Sequence, residues 1–205
     1  MSTVIKESLQ RSMSYKEYRD LMTKLAAEGR TTGLEKTRER IDFTKLNDQR
    51  MKRWDKTIKV SESTREKIAR FNHRVIWLVI AESWCGDGAH MLPALDKIAT
   101  LSSYINLRVV LRDDNPELMD AFLTGGARAI PKLIMIDSET GEALKTYGPR
   151  PSEATNYVSR FKNMYGKLTP DFKKDLQHWY NKNKGQNIIE DVAEMLCDME
   201  PNFYL

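Results

Sequence analysis

The sequence "VIWLVIAESWCGDGAH", residues 75–90, decides the fold of this chain. It begins within a run of β-branched and aromatic residues, from 74 to 81, that is apolar on both faces. Such a run is typical of an interior parallel strand that helices cover on both sides. The stretch from 86 to 104 has the spacing of a helix, which we expect Pro93 to kink. Cys85 is therefore predicted to lie where a buried strand ends and a helix begins.

This predicted position affects the chemistry of the Cys85 sulfur. The first turn of a helix has unpaired backbone donors and the positive end of the macrodipole, which favour a thiolate. A thiolate is the attacking species in thiol–disulfide exchange. Gly86 keeps the approach to the sulfur open, and Trp84 supplies an apolar wall beside it. Glu82 and Asp87 oppose the thiolate, because negative charge raises the pKa of a thiol, and the sequence leaves the net direction open.

The elements that follow alternate between strands and helices. Strands are predicted at 105–113, 132–137 and 142–148, and helices at 115–126 and 151–165. We expect the helix at 115–126 to open at Pro116 after a capping Asn115 and to end at the pair Gly125 and Gly126. The resulting order is β, α, β, α, β, β, α. This order predicts the α/β class, with a central mixed sheet flanked by helices.

The segments before and after this core both have apolar residues at helical spacing. The apolar stripes before it are Tyr15, Tyr18, Met22, Leu25 and then Phe43, Leu46, Trp54, Ile58. The stripes after it are Phe172, Leu176, Trp179, Tyr180 and then Ile188, Val192, Leu196, Met199. Ser63 and Glu66 suggest a capping box before the first strand. We expect one compact unit: an N-terminal helical extension at 1–70, a core at 71–165 and a C-terminal helical extension at 166–205, with the stripes packed on the sheet.

Composition limits the classes of function. The chain has 205 residues, 40% of them hydrophobic, and its 33 basic and 29 acidic side chains leave a net charge of only +4. Acidic residues interrupt the basic clusters, so we expect no nucleic-acid partner. Neither a signal peptide nor a membrane-spanning run is evident, so a cytoplasmic location is expected, with no membrane partner. Two cysteines and three scattered histidines predict no metal site, and no cofactor is indicated.

The segments 75–99 and 126–148, with the element order between them, resemble the bacterial thioredoxin family. In that family a Trp-Cys-x-x-Cys motif ends a central strand and opens a helix, and a loop with a cis proline faces it. The resemblance covers about residues 71–165 and implies a thioredoxin-like fold. It matches Cys85 to the nucleophilic cysteine of the family, and Ile130 with Pro131 to the cis-proline loop.

The chain departs from the family pattern at several positions. Gly88 stands where the second, resolving cysteine would be, so no disulfide can form within the motif. The buried acid of the family falls on Val79, and its neighbouring lysine falls near Val109. The first strand and helix of the family are not evident in residues 1–70. These departures exclude the standard cycle that uses two cysteines.

Three hypotheses of function remain open. In the first, Cys85 exchanges as a single thiol with protein or small-molecule disulfides, and an external thiol resolves the product. In the second, the protein is a redox-inactive binding or scaffold module. The third is a glutathione-linked cluster or transfer protein similar to monothiol glutaredoxins, suggested by "CGDG" at 85–88.

The first two hypotheses use the same surface, the cis-proline groove, formed by Trp84, Cys85, Ile130 and Pro131. Its loop would bind the extended backbone of a partner through main-chain hydrogen bonds.

Further residues beside the groove are candidates for contacts with a partner. Gly86 would leave room for it, Asp87 would orient an amide or ammonium group, and Arg150 would hold a carboxylate. His90 is expected to be a solvated helix residue. Cys197 is expected to be a structural thiol, remote from Cys85.

Overall fold

The computed structural model describes residues 2–199, which form three consecutive groups of elements. The first group is α1 (Thr3–Gln10), β1 (Met13–Ser14), α2 (Tyr15–Glu28), α3 (Arg38–Thr57) and α4 (Glu62–Arg70). The second is β2 (Val75–Ala81), α5 (Gly86–Ala99), β3 (Ile105–Leu111), α6 (Pro116–Ala121), β4 (Lys132–Asp137), β5 (Ala143–Tyr147) and α7 (Ser152–Tyr165). The third is α8 (Pro170–Asn183) and α9 (Gln186–Cys197). Met1 and residues 200–205, which the predicted extensions include, lie outside the described residues.

The five strands form one mixed sheet in the order β1-β3-β2-β4-β5. β2 is central and parallel to β3, with Val75 opposite Ile105. β4 is antiparallel to both β2 and β5, and β1 is antiparallel to β3. The predicted α/β class with a mixed sheet between helices is confirmed.

Both faces of β2 are buried, which explains its unbroken apolar sequence. Val75, Trp77 and Val79 pack into a large core with helices α2 to α5 and α7 to α9. Leu78 and Ile80 point to a smaller core that α1 and α6 cover. None of the helices within residues 2–199 is long and apolar enough to span a membrane.

The N-terminal segment contributes a strand that the sequence did not reveal. Met13 and Ser14 pair with Val109 and Arg108 at the edge of the sheet. The Arg108 guanidinium donates to the carbonyl of Ser12 at 2.6 Å and holds this edge. Two paired residues are too few to produce an alternating pattern, so the expectation of a purely helical segment was wrong here.

The buried face of α3 differs from the predicted stripe. Trp54 is 5% exposed and belongs to the core, but Phe43 and Leu46 are each 41% exposed. The first half of the helix instead buries polar side chains, including Thr44 and Asn47. These side chains bond to the loop before Cys85, so hydrogen bonding rather than apolar burial orients this part of α3.

Three predicted features of helix ends also need correction. The N-cap of α4 is Ser61, whose hydroxyl accepts from the Thr64 N–H, and not Ser63. Asn115 is the N-cap of α6, which begins at Pro116 as predicted, but its side chain makes no capping hydrogen bond and its amide donates to the Leu111 carbonyl at 2.9 Å instead. α6 also ends at Ala121, before the glycine pair at 125 and 126.

The first turn of α7 depends on side chains from α9. Its N-cap is Pro151, which offers no side-chain acceptor. The Ser152 N–H donates to the Asp191 carboxylate at 2.7 Å, and the Glu153 N–H donates to the Asn187 side-chain carbonyl at 3.0 Å. Two donors at the start of the helix after β5 are therefore satisfied from the C-terminal segment.

Candidate functional site

Cys85 lies at the junction between β2 and α5. Residues 82–84 form the connection, and Cys85 is the N-cap of α5. Its sulfur accepts a hydrogen bond from the Gly88 N–H at 3.4 Å. The sulfur therefore occupies the place of an N-cap side-chain acceptor, which is the position that the sequence predicts.

The loop that contains Pro131 lies directly against this sulfur. The Ile130–Pro131 peptide bond is cis. The Cys85 thiol donates to the Ile130 carbonyl at 3.4 Å. Cys85 and Ile130 are each only 8% exposed. The fold thus brings three of the predicted site residues together, although they are separated by 45 positions in sequence.

Asp87 and Arg150 form an ion pair with each other. The Arg150 guanidinium contacts the Asp87 carboxylate at 2.9 Å. The other oxygen of Asp87 accepts from the Tyr180 hydroxyl, also at 2.9 Å. In the free protein, the carboxylate that Arg150 holds is therefore that of Asp87. The predicted contacts of these two residues with a partner would have to replace this pair.

Burial and charge keep the Cys85 thiol protonated. Burial, with the negative charge of Asp87 second, raises the pKa of Cys85 to about 12. The Gly88 N–H and Arg150 act in the opposite direction and lower this pKa, but their effect is smaller. The helix N-terminus alone favours a thiolate, so desolvation decides the direction that the sequence left open.

Trp84 packs against the apolar cluster that contains Cys85 and Ile130. The guanidinium groups of Arg40 and Arg112 lie over its ring, 4.3 and 5.0 Å from the centroid. Cation–π contacts of this kind hold an indole ring in a fixed orientation. The Trp84 Nε1–H is buried and has no hydrogen-bond partner.

The connection before Cys85 is held by the N-terminal segment. The Ser83 hydroxyl accepts from the Thr32 N–H at 3.0 Å, and the Ser83 N–H donates to the Thr32 hydroxyl at 2.8 Å. The Ser83 carbonyl accepts from the Asn47 side chain at 2.9 Å. Glu82 accepts from the Thr32 hydroxyl and from the Asp113 N–H, and burial raises the pKa of this carboxyl. Thr32 and Asn47 were not predicted as site residues.

His90 is buried rather than solvated, so that expectation was wrong. It is 3% exposed, and its ring stacks on Tyr180 with centroids 4.3 Å apart. Its Nδ1 accepts from the Trp54 indole at 2.9 Å, and its Nε2 lies 3.0 Å from the Gln177 side-chain oxygen. Because Nδ1 accepts, the proton of the neutral ring is on Nε2. Burial lowers the pKa of His90 to about 3.

Gly86 and Gly88 have different surroundings. A Cβ at Gly86 would lie 3.6 Å from the Arg50 guanidinium and 3.8 Å from Gln177. A Cβ at Gly88 would lie 3.5 Å from the Cys85 Cβ and 3.6 Å from its sulfur. Cβ atoms joined by a disulfide are about 3.5–4.5 Å apart. Position 88 therefore has the geometry of a disulfide partner, although no thiol is present there.

Gly88→Cys is accordingly expected to form a disulfide with Cys85 under mild oxidation. Gly86→Cys is the matched control, because its Cβ faces Arg50 and Gln177 rather than the sulfur. Titration of free thiols under denaturing conditions, with peptide mass spectrometry, measures the result. If the thiols at positions 85 and 88 both stay free under an oxidant that pairs other close cysteines, the deduced geometry is wrong.

Cys85 and Cys197 are both free thiols. Cys197 lies at the end of α9 and is 8% exposed. Among residues 2–199, no cluster of His, Cys, Asp and Glu side chains could hold a metal ion.

Comparisons with known proteins support the fold. A solved structure of a protein of unknown function from Pseudomonas aeruginosa has a TM-score of 0.59 and 19% identity, and the match covers 91% of this chain and 99% of that chain. The crystal structure of an HIV epitope scaffold has a TM-score of 0.54 and 20% identity, with the same coverage. Both likenesses concern the fold alone. No curated protein matches this chain significantly.

A sequence model of a protein family identifies the family of the chain, whereas the solved structures identify only its fold. The family described as thioredoxin matches residues 34–164, which is more than half of the chain. The matched residues include the motif around Cys85 and the loop with Pro131. They begin within the N-terminal segment, before α3. The chain belongs to the thioredoxin family.

Proposed function

We propose that this protein carries out thiol–disulfide exchange through Cys85 alone, with an external thiol as the resolving reagent. The observation that carries the proposal is the place of the sulfur. It lies at the N-terminus of α5, 3.4 Å from the carbonyl that precedes the cis proline. A partner strand along the Pro131 loop would bring its disulfide next to this atom.

The proposed reaction has two balanced exchanges. The Cys85 thiol first loses its proton to solvent, and the thiolate attacks one sulfur of a partner disulfide. A mixed disulfide forms as the partner S–S bond breaks, and the other partner sulfur leaves as a thiolate. A small external thiol, as its thiolate, then attacks the partner sulfur of the mixed disulfide. A new disulfide between this thiol and the partner forms as the bond to Cys85 breaks, and Cys85 leaves as a thiolate and takes up a proton again. No second thiol of this chain is required.

Loss of the Cys85 proton would also change the groove. In the free protein the thiol donates to the Ile130 carbonyl. A thiolate cannot donate, so this carbonyl would become available to an N–H of the partner backbone. Deprotonation and partner binding would then favour each other.

We expect the first exchange to be slow at neutral pH and to accelerate about tenfold per pH unit between about pH 8 and 10, because the thiolate fraction increases in that proportion below the pKa. Single-turnover release from a chromogenic aromatic disulfide measures this step without an external thiol. Cys85→Ser should abolish the protein-dependent release, whereas Cys197→Ser should leave it unchanged. Equal rates for the wild type and Cys85→Ser would refute exchange.

A second candidate function is binding without turnover at the same groove. The burial of Cys85 and its raised pKa favour this candidate, because a protonated, covered thiol is a poor nucleophile. It predicts that a captured partner is retained equally by the wild type and Cys85→Ser, while the release of the chromogenic thiol is the same for both proteins.

A further inference from the structure

An open cavity of about 520 Å³ adjoins the end of β5. Three consecutive residues, Thr146, Tyr147 and Gly148, line it together with residues of α7 and α9. β5 is the last strand of the sheet, so no strand of residues 2–199 pairs with its outer edge. Side chains of consecutive strand residues point to opposite faces, so a cavity that both Thr146 and Tyr147 line opens at the edge itself. Backbone groups of an edge strand can bind an extended peptide.

A buried lysine lines the cavity near Gly148. Lys132 follows Pro131, whose carbonyl oxygen lies against Gly148. Lys132 is 6% exposed, and its ammonium group donates to the Thr124 hydroxyl at 3.1 Å. It forms no ion pair with a carboxylate of residues 2–199, and desolvation lowers its pKa. A buried cation without an anion is costly, so an anionic ligand group would stabilise this end of the cavity.

Arg150 adds a second cation at the same end, two residues after Gly148. Its Nη2 pairs with the Asp87 carboxylate at 2.9 Å, but its Nε–H is buried without a hydrogen-bond partner. The fold therefore leaves part of this guanidinium unsatisfied while the pair with Asp87 stays in place. Lys132, Arg150 and Asp87 together leave one positive charge, which suits a carboxylate.

The other end of the cavity is acidic. Asp191, Glu194 and Asp198 line it from one face of α9, over about 10 Å. Asp191 accepts from the Tyr147 hydroxyl at 2.8 Å, and Asp198 contacts the Lys145 ammonium group at 2.9 Å. These two contacts show that α9 runs antiparallel to β5. Glu194, which is exposed, and Asp198 therefore lie towards the start of the strand, away from the two cations.

We propose that the edge of β5 binds the last residues of an extended peptide, with the terminal carboxylate at Lys132 and Arg150. The peptide then runs parallel to β5. An ammonium or guanidinium group about two or three residues before its end reaches Glu194 and Asp198, because three extended residues span about 10 Å. This β5 edge site does not include Cys85, so it goes beyond the proposed exchange and does not depend on it.

The tripeptide Lys-Ala-Ala carries both required charges and is the probe for this site. Its titration, followed by two-dimensional amide NMR spectra, should shift the signals of Thr146, Tyr147 and Gly148. The same peptide amidated at its C-terminus lacks the carboxylate and should bind about tenfold more weakly. Equal affinities of the acid and the amide would overturn the proposal, as would the absence of shifts in these residues with up to about 10 mM peptide.

Charge variants test the two ends separately. Glu194→Lys reverses the charge at an exposed position and should weaken binding of Lys-Ala-Ala about tenfold. Asp171→Lys, at a 90% exposed position of α8, is the matched control and should bind as the wild type does. Equal weakening in both variants would contradict the proposal. Lys132→Gln should abolish the preference for the acid over the amide, and Glu194→Lys keeps the test open if Lys132→Gln does not fold.

A further comparison separates this site from the cis-proline groove. Cys85→Ser should bind Lys-Ala-Ala with the affinity of the wild type. Signals that shift only around Cys85 and Pro131 would place the peptide in the cis-proline groove and refute the β5 edge site. Failure of thiol–disulfide exchange would be a separate result, because the peptide contains no sulfur.

Discussion

Gly148→Ala is expected to lower the free energy of unfolding by about 3–5 kcal/mol. Gly148 has φ of +101°, a conformation that residues with a side chain rarely adopt. A Cβ there would overlap the carbonyl oxygen of Pro131 and lie 3.2 Å from the Met91 methyl group. The carbonyl belongs to the backbone and cannot move aside alone, so the whole Pro131 loop would have to shift.

Gly126→Ala separates the two causes of this loss. Gly126 also has a positive φ, of +76°, but a Cβ there would have no neighbour within 4 Å. We expect this control to lose only about 1 kcal/mol, from backbone strain. Urea unfolding of both variants measures the difference. Equal losses would show that the contact with Pro131 does not matter.

The second large expected effect is a loss of stability at acidic pH, caused by the buried ring of His90. Burial lowers the pKa of His90 from 6.5 to about 3, so the unfolded chain binds a proton in this range and the folded protein does not. The contribution of His90 to stability is present above about pH 6.5 and is lost as the pH falls towards 3. Between about pH 7.5 and 4 the loss should amount to about 3 kcal/mol.

His90→Gln removes the titrating ring and should reveal this loss. The variant is less stable than the wild type at pH 7.5, because the contacts with Trp54 and Tyr180 are lost or weakened. The difference in the free energy of unfolding should shrink as the pH falls, and this change isolates His90 from the carboxylates that titrate in both proteins. His178→Gln, at an exposed position of α8, is the control for the loss of a histidine outside the core. A constant difference for His90→Gln would disprove the argument.

The sequence predicted those parts of the fold that depend on neighbouring residues. The apolar run of β2, the glycines at the start of α5 and the turn before β5 are local patterns, and each matches an observed element. The pairing of Ile130 with Cys85 followed from the resemblance to a known family. The motif and its loop could therefore be located from the sequence.

The remaining parts depend on contacts between distant segments. Nothing near Asp87 indicates that Tyr180 donates to it, and the stripe that contains Tyr180 has the ordinary pattern of a core helix. The polar face of α3 was missed for a related reason, because the partner of Asn47 is the carbonyl of Ser83 and not an apolar surface. Periodicity in the sequence identifies apolar burial but does not identify buried polar pairs.

The hydrogen bonds around the Cys85 motif have a consequence for any attempt to shorten the protein. A fragment cut to residues 71–165 would lose Thr32 and Asn47, which satisfy Ser83, and Tyr180, which satisfies Asp87. Buried polar groups that lose their partners cost about 1–3 kcal/mol each. Engineering of the Cys85 motif therefore has to keep these three residues of the flanking segments as well as the motif itself.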